Sequence, residues 1–253
     1  MARVFVGTSG FNYRHWKDGI FYPKGLAASK WLEYYCQHFQ TVELNVTFYR
    51  LPSESTFKNW YNQTPKNFVF AIKGSRFITH VKKLNNVEEA VGSFFENASG
   101  LSEKLGVVLW QLGGNLHANA EKLEQFCRLL KKNSFAKVVR HSFEFRHQSW
   151  FSDEIYAILK NYNFSLCIAH SKVWPYVEET TADWVYLRFH GGMLYTSGYS
   201  DKELKNWAVK IRKWMSEGKD VYAYFNNDAL GFAITNAQKL KELIVSLVYF
   251  LRP

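Results

Sequence analysis

The chain has 253 residues, of which 47% are hydrophobic and 18% aromatic, so it can bury a large core and is too apolar to be disordered. Lysine and arginine outnumber aspartate and glutamate by 32 to 22, which gives a formal net charge of +10 and favours anionic partners. No stretch approaches the ~20 apolar residues of a membrane span, so we expect no membrane association. The length matches one (β/α)8 barrel, and we expect a single domain over residues 1–253.

Apolar runs typical of strands alternate along the chain with helical segments. The runs begin near Arg3, Thr41, Asn67, Gly106, Lys137, Ser165, Trp184 and Val221. Apolar residues recur every three or four positions within 87–101, 155–162 and 204–211, and Ser200 with Glu203 forms a capping-box pattern before the last of these. Eight such strands predict an α/β fold, a TIM-type (β/α)8 barrel of eight parallel strands with outer helices. Residues 171–183 are too few for a full helix, so we expect an irregular crossover between strands 6 and 7.

Seven of the eight runs carry polar side chains near their C-terminal ends. These are Glu43 and Asn45, Lys73, Gln111, Glu144 and Arg146, His170, Arg188 and His190, and Asn226 with Asp228. A parallel strand buried on both faces should be almost entirely apolar, and an unpaired charge there is costly. The C-terminal mouth of a barrel, where active sites of this fold lie, is the simplest place for these side chains. The pattern therefore predicts a functional mouth.

Several of these side chains are typical of anion binding. Arg146 and Arg188 could each hold a phosphate or carboxylate through two parallel hydrogen bonds, and Lys73 would add a third positive charge. The loop after the seventh strand is rich in glycine and hydroxyl groups, so its backbone N–H groups could approach a ligand closely. Further candidates for substrate contacts are Asn45, His170, Tyr195 and Asn226. We expect a small anionic substrate that is phosphorylated, carboxylated or sugar-like.

Acid–base chemistry is the second expectation for the mouth. The candidate catalytic residues are Glu43, Glu144, His190 and Asp228. Histidine titrates near pH ~6.5, whereas a carboxyl group needs burial to raise its pKa before it can donate a proton. A hydrolase or an isomerase would fit, and a Glu43/Glu144 pair would also permit glycoside hydrolysis. No cofactor is predicted, and the nearby lysine and arginines disfavour a divalent metal bound by Glu43, Glu144, His170 and Asp228.

Two other functions stay open. The net charge also fits a nucleic-acid-binding or nuclease-like protein, although no recognised DNA or RNA motif is present. A barrel that binds a ligand without turning it over would use the same residues as an enzyme. Cys36, Cys127 and Cys167 lie singly in apolar patterns, which indicates reduced thiols in a cytoplasmic protein. The sequence does not predict the oligomeric state.

A set of short motifs spans nearly the whole chain. They include Gly7-Thr8-Ser9-Gly10-Phe11, Val42-Glu43-Leu44-Asn45, Ile78-Thr79-His80, Glu144-Phe145-Arg146, Arg188-Phe189-His190-Gly191 and Tyr224-Phe225-Asn226-Asn227-Asp228. Together they resemble the YecE-like family, catalogued as domain of unknown function 72. The resemblance implies a (β/α)8-type barrel in a cytosolic bacterial or archaeal protein, and it implies no particular reaction. The chain departs from the family pattern at His170, where aspartate is more common, and at Gly113-Gly114, where prolines are.

Overall fold

A computed structural model describes residues 2–192 and 197–250, and within them eight parallel strands form one sheet. The strands are β1 (Val4–Thr8), β2 (Thr41–Leu44), β3 (Val69–Lys73), β4 (Leu105–Gln111), β5 (Arg140–Glu144), β6 (Ser165–His170), β7 (Trp184–Phe189) and β8 (Asp220–Phe225). The helices are α1 (Trp31–His38), α2 (Val46–Tyr49), α3 (Glu54–Asn62), α4 (Glu88–Ala98), α5 (Ala120–Lys132), α6 (Asp153–Tyr162), α7 (Asp201–Ser216) and α8 (Phe232–Phe250). The predicted TIM-type (β/α)8 barrel with outer helices is confirmed.

The barrel is nearly closed, and its seam lies between β1 and β2. The hydrogen-bonded order of the strands is β1-β8-β7-β6-β5-β4-β3-β2, so β1 and β2 are the two ends of the sheet. A Cβ atom on Gly7 would lie 2.4 Å from the carbonyl oxygen of Thr41, so only glycine permits this close approach. The hydroxyl of Tyr35 accepts from the amide of Thr8 (3.1 Å) and donates to the carbonyl of Thr41 (3.0 Å). Tyr35 therefore bridges two backbone groups that no ladder bond joins.

The inside of the barrel is filled by side chains and is not a channel. The inward-facing cluster consists of Phe5, Ala71, Val107, Leu109, Cys167, Ala169, Trp184, Tyr186, Tyr222 and Tyr224. Residues of the opposite parity on the same strands pack under the outer helices, as Phe143, Leu187 and Phe225 do. Because side chains alternate along a strand, the polar residues at the C-terminal ends continue the inward-facing rows. The aromatic plug thus supports a polar layer at the mouth.

The connections agree with the sequence in two places and differ in a third. Residues 171–183 contain no helix, as predicted, and Ser200 begins α7 with a capping box to Glu203. The unexpected element is a π-helix, Phe77–Val81, that follows β3 at the mouth. Single π-helical turns are rare and occur frequently at functional sites. Across the described ranges, no helix has the length and hydropathy that crossing a membrane would require.

Candidate active site

A buried cluster of ion pairs forms the floor of the mouth. Arg188 of β7 is 1% exposed and donates Nη2 to Oε1 of Glu43 (2.8 Å) and Nη1 to Oε2 of Glu144 (2.6 Å). Arg146 donates Nε to the other oxygen of Glu144 (2.7 Å). Two guanidinium groups and two carboxylates therefore balance each other in charge. Arg188 is held between Glu43 and Glu144, so both of its terminal nitrogens are already used and it is not the open clamp that the sequence suggested.

The carboxylates of this cluster are poorly placed for proton transfer. Burial alone would raise the pKa of Glu144, but Arg146 and Arg188 outweigh burial and hold that pKa well below its usual range. Glu43 accepts from Arg188, from the hydroxyl of Ser9 (2.6 Å) and from the hydroxyl of Tyr186 (2.7 Å). Both carboxylates are fully buried. The geometry therefore does not favour the predicted acid–base roles of Glu43 and Glu144, or the use of this pair for glycoside hydrolysis.

His190 is buried beside the same cluster and is held neutral. Burial first, and then the charge of Arg188, lower the pKa of His190 well below its usual range. The side-chain amide of Asn226 lies 3.2 Å from Nδ1 of His190, and an amide nitrogen can only donate. Nδ1 therefore accepts, and the ring proton is on Nε2, which lies 3.9 Å from Oε1 of Glu144. This arrangement orients Asn226 at the mouth.

An open cavity of about 380 Å³ lies above the ion-paired floor. Its lining residues are Tyr13, Asn45, Tyr49, Lys73, Arg146, Arg188, Asn226 and Asp228. All but the two tyrosines are residues that the sequence predicted for the site. The volume is in the range of small-molecule pockets, which are about 300–1,000 Å³. The strand ends thus bring these predicted residues together around one space.

A second cavity, also of about 380 Å³, adjoins the first through shared walls. Tyr13, Asn45 and Tyr49 line both spaces. The remaining lining of the second cavity is mostly apolar and consists of Gly10, Phe11, Asn12, Leu44, Val46 and Trp60. A ligand whose polar end occupies the first cavity could therefore extend an apolar or ring-shaped part into the second.

Lys73, the last residue of β3, places its amine at the wall of the first cavity. Only 8% of the residue is exposed, and Nζ lies 4.0 Å from the centre of the Phe48 ring. Among the described residues Nζ forms no hydrogen bond and no ion pair. Burial, and then the charge of Arg188, lower the pKa of Lys73 to about 7. A substantial fraction of this amine is therefore neutral at physiological pH.

A second buried lysine shows how an amine is normally accommodated. Lys104 is 4% exposed and donates Nζ to the carbonyl of Tyr61 (2.6 Å), the carbonyl of Thr64 (2.8 Å) and the hydroxyl of Thr64 (3.1 Å). Its Nζ also lies 4.1 Å from the centre of the Tyr61 ring. Lys104 is thus fully hydrogen-bonded, as buried polar groups usually are, whereas Lys73 has the aromatic contact alone.

Asp228 is the titratable carboxyl group of the cavity wall. Its Oδ1 accepts from the indole nitrogen of Trp16 (2.6 Å), and its Oδ2 lies 2.9 Å from Nε2 of His15. Burial raises the pKa of Asp228 to about 6, against the opposing effects of His15 and Trp16. Asp228 can therefore hold a proton close to neutral pH, which Glu144 cannot.

Two further polar atoms at the cavity have no protein partner. Nε of Arg188 and Oδ1 of Asn45 are buried, and neither has a hydrogen bond to any residue that the structure describes. Both residues line the first cavity. Buried polar atoms in native proteins are almost always satisfied, so these two unsatisfied atoms distinguish this wall of the cavity from an ordinary core.

One predicted site residue lies elsewhere. His170 faces the outer helices, where Nδ1 lies 2.8 Å from the hydroxyl of Tyr199 and the ring packs against Trp207 of α7. The prediction that His170 contacts substrate is therefore wrong. The reason is strand parity, because Cys167 and Ala169 are the inward-facing residues of β6. Tyr195 lies outside the described residues.

No metal centre forms from the predicted ligands. In residues 2–192 and 197–250 there is no group of three or more His, Cys, Asp or Glu side chains that could hold a metal ion. Glu43 and Glu144 are occupied by arginines, His170 points outward, and Asp228 is bound by Trp16. The arrangement that the sequence left open for a divalent metal is therefore not assembled.

Three neighbours of the cavity were not predicted as site residues. Phe48 of α2 covers the amine of Lys73, and His80 of the π-helix packs edge-on against Phe48 with ring centres 5.0 Å apart. Burial, and then the charge of Lys73, lower the pKa of His80 to about 4. Trp174 lies under the guanidinium of Arg146, with Cζ 4.8 Å from the ring centre. The π-helix and the irregular crossover that supply His80 and Trp174 have no periodic pattern, so strand and helix periodicity did not place them at the mouth, although Ile78-Thr79-His80 is one of the family motifs.

Fold and site together define a (β/α)8 barrel with a polar cavity at its C-terminal mouth. Residues 5–248 match the family model described as "Protein of unknown function DUF72", and the chain belongs to that family. The chain is similar to the UPF0759 protein YunF of Bacillus subtilis, with 26% identity covering 95% of this chain and 94% of that protein.

Solved structures agree with this assignment. A DUF72 family protein from Thermotoga maritima (TM1631) superposes with a TM-score of 0.84 at 31% identity, covering 96% of this chain and 99% of that one. A DUF72 family protein from Enterococcus faecalis (EF0366) superposes with a TM-score of 0.81 at 21% identity, covering 96% and 95%. The second likeness concerns the fold alone.

Proposed function

We propose that the protein is an enzyme that binds a small anionic substrate in the mouth cavity and acts on it by acid–base chemistry. The observation that carries this proposal is Lys73, an amine buried in the wall of a ligand-sized cavity with no carboxylate partner. A lysine buried this way destabilises the fold, and such groups cluster at functional sites. Lys104 shows that this chain can satisfy a buried lysine where the role is structural.

The cavity holds two groups suited to proton transfer. Lys73, with a pKa of about 7, is the base, and Asp228, with a pKa of about 6, is the acid. Catalytic efficiency is greatest when such pKa values lie near the working pH. The proposal therefore moves the acid–base roles from Glu144 and His190, which are locked in the floor, to Lys73 and Asp228. Isomerisation or hydrolysis of a polar substrate would use this pair.

The anionic part of the substrate is assigned to the side of the cavity near Arg146. Arg146 lines the cavity, and its guanidinium brings a positive charge to this side while Nε donates to Glu144. The unpartnered Nε of Arg188 and Oδ1 of Asn45 supply one donor and one acceptor more. An anionic group with an adjacent hydroxyl or carbonyl would match this set.

The proposal is tested by thermal unfolding with inorganic phosphate and with pyruvate as probes. We expect either anion to raise the Tm of the wild type, since a ligand at 100 times its Kd adds about 2.7 kcal/mol to the free energy of unfolding. Lys73→Met should fold and weaken this effect, because it removes the charged fraction of an amine in the same cavity, whereas Lys104→Met, a matched buried lysine outside the mouth, should leave it unchanged. Absence of stabilisation by both anions, or an equal effect in Lys73→Met, would contradict the proposal.

A further inference from the structure

The backbone that carries Lys73 is held by hydrogen bonds, and its amine lies against an aromatic ring. The hydroxyl of Thr47 donates to the carbonyl of Lys73 (2.6 Å), and the next amide, of Gly74, donates to the carbonyl of Leu109 (2.8 Å). A Cβ atom at Gly74 would lie 2.3 Å from the ring of Trp110, so the backbone that follows Lys73 packs directly against that ring. The amine is thus presented from a rigid strand end, which suits a reacting group better than a mobile loop would.

The surroundings of the amine favour its neutral form, in which the nitrogen has a lone pair that can react. The amine lies over the ring of Phe48, which offers no oxygen or nitrogen acceptor. Phe48 itself packs against Tyr49 and His80, with ring centres 5.0 Å apart in each pair. The nearby guanidinium of Arg188 disfavours a second positive charge. Desolvation together with a neighbouring cation is the arrangement that activates a lysine as a nucleophile. A lysine that only bound an anion would gain nothing from this environment.

We infer that Lys73 reacts covalently, condensing with the aldehyde or ketone group of a substrate that also carries a carboxylate or phosphate. This inference rests on the proposed function and names the substrate class: 2-oxo acids and phosphorylated carbonyl compounds. The anionic group would lie toward Arg146, and the carbonyl carbon would lie against Nζ of Lys73. Both residues line the same cavity, which fixes the two ends of such a molecule.

The chemical step balances with groups that are present. The lone pair of the Lys73 nitrogen forms a bond to the carbonyl carbon, and the proton lost by nitrogen passes to the carbonyl oxygen, which gives a carbinolamine. The nitrogen then expels the hydroxyl group, which leaves as water with a proton from the carboxyl group of Asp228. The products are a positively charged iminium, water and the carboxylate of Asp228. The carboxylates of Glu43, Glu144 and Asp228 partly offset the positive charge of the iminium, which Arg188 opposes.

The test is reductive trapping at pH 7 with pyruvate and, separately, with glyceraldehyde 3-phosphate, each with sodium cyanoborohydride, followed by peptide mass spectrometry. We expect the reduced adduct on Lys73 at about tenfold or more above an exposed lysine such as Lys58, because an exposed lysine is almost wholly protonated at this pH. Inorganic phosphate should suppress the adduct on Lys73 and leave that on Lys58 unchanged. In Lys73→Met the adduct on the corresponding peptide should be lost.

The outcomes separate this inference from the function on which it rests. The inference is overturned if Lys73 is labelled no more than Lys58 with pyruvate and also no more than Lys58 with glyceraldehyde 3-phosphate. If phosphate nevertheless raises the Tm of the wild type, the acid–base proposal stands and the role of Lys73 is proton transfer alone. If phosphate has no effect on the Tm either, both proposals fail.

Discussion

At the scale of single residues, the two buried lysines define opposite roles for the same side chain. Lys104 donates to three oxygen acceptors that compensate in part for its burial, which lowers its pKa as well. Lys73 has no hydrogen-bond acceptor among residues 2–192 and 197–250, and burial lowers its pKa to about 7. A group whose pKa is lowered on folding binds fewer protons in the native state than in the unfolded chain, so Lys73 opposes folding at neutral pH. We attribute the presence of such a destabilising group to the proposed function of the site.

This contrast predicts stability changes of opposite sign. Lys73→Met should raise the free energy of unfolding at pH 7 by about 1 kcal/mol or more, because an apolar side chain removes the cost of burying the amine. Lys104→Met should lower the free energy of unfolding by about 1–3 kcal/mol, because it leaves buried acceptors unsatisfied. Urea unfolding of the wild type and both variants measures the two effects.

The pH dependence of the same measurement has a defined sign. Between the lowered pKa of Lys73 and the pKa of an unfolded lysine, the unfolded chain binds more protons, so the contribution of Lys73 to stability rises with pH from about 7 to about 10.5. The advantage of Lys73→Met over the wild type should therefore shrink across this window. Equal destabilisation by both substitutions would show that Lys73 is a structural residue.

At the scale of elements, the barrel depends on a side chain at its open seam. Tyr35 of α1 bridges the amide of Thr8 and the carbonyl of Thr41 where β1 and β2 approach without ladder bonds. Tyr35 is fully buried, so water cannot replace its hydroxyl at low cost. Tyr35 therefore joins the backbones of β1 and β2 within the seam, and the hydroxyl of Ser9 adds a bond to Glu43 at its mouth end.

The seam gives a prediction with a matched control in the same helix. Tyr35→Phe should lower the free energy of unfolding by about 1–3 kcal/mol, since two buried backbone groups lose a partner. The amide of Thr8 should also exchange its hydrogen faster. Tyr34→Phe removes a neighbouring hydroxyl that has no such bridging role, and it should change stability by less than about 0.5 kcal/mol. Similar losses in both variants would contradict the role of Tyr35 at the seam.

Strand periodicity explains which parts of the site could be read from the sequence. Inward-facing polar residues such as Glu43, Arg146 and Arg188 follow from alternation along strands whose ends meet at one edge of the barrel. The same alternation, applied to β6, would have excluded His170, since Cys167 and Ala169 take the inward positions. The pairing within the floor was not predictable, because it depends on distances between strands far apart in the chain.

At the scale of the whole molecule, the net charge does not arise at the mouth. Glu43, Glu144 and Asp228 offset Lys73, Arg146 and Arg188 in formal charge, so the excess positive charge lies on other parts of the chain. The anion binding that we propose would then depend on the direction of the donors in the cavity and not on the overall field. Nucleic-acid binding, which the net charge alone suggested, stays a prediction, and it requires affinity that falls steeply with salt.

The central claim is that the barrel mouth holds a neutral, reactive amine beside an anion site, and the titration of Lys73 tests it most directly. Labelling with a small amine-reactive reagent at a series of pH values, with peptide mass spectrometry, gives the pKa of Lys73 and of Lys58 in one experiment. The account predicts half-maximal reactivity of Lys73 near pH 7, shifted upward by phosphate, because a bound anion favours the charged amine. Half-maximal reactivity of Lys73 near the value of an exposed lysine, about 10.4, with no response to phosphate, would contradict it.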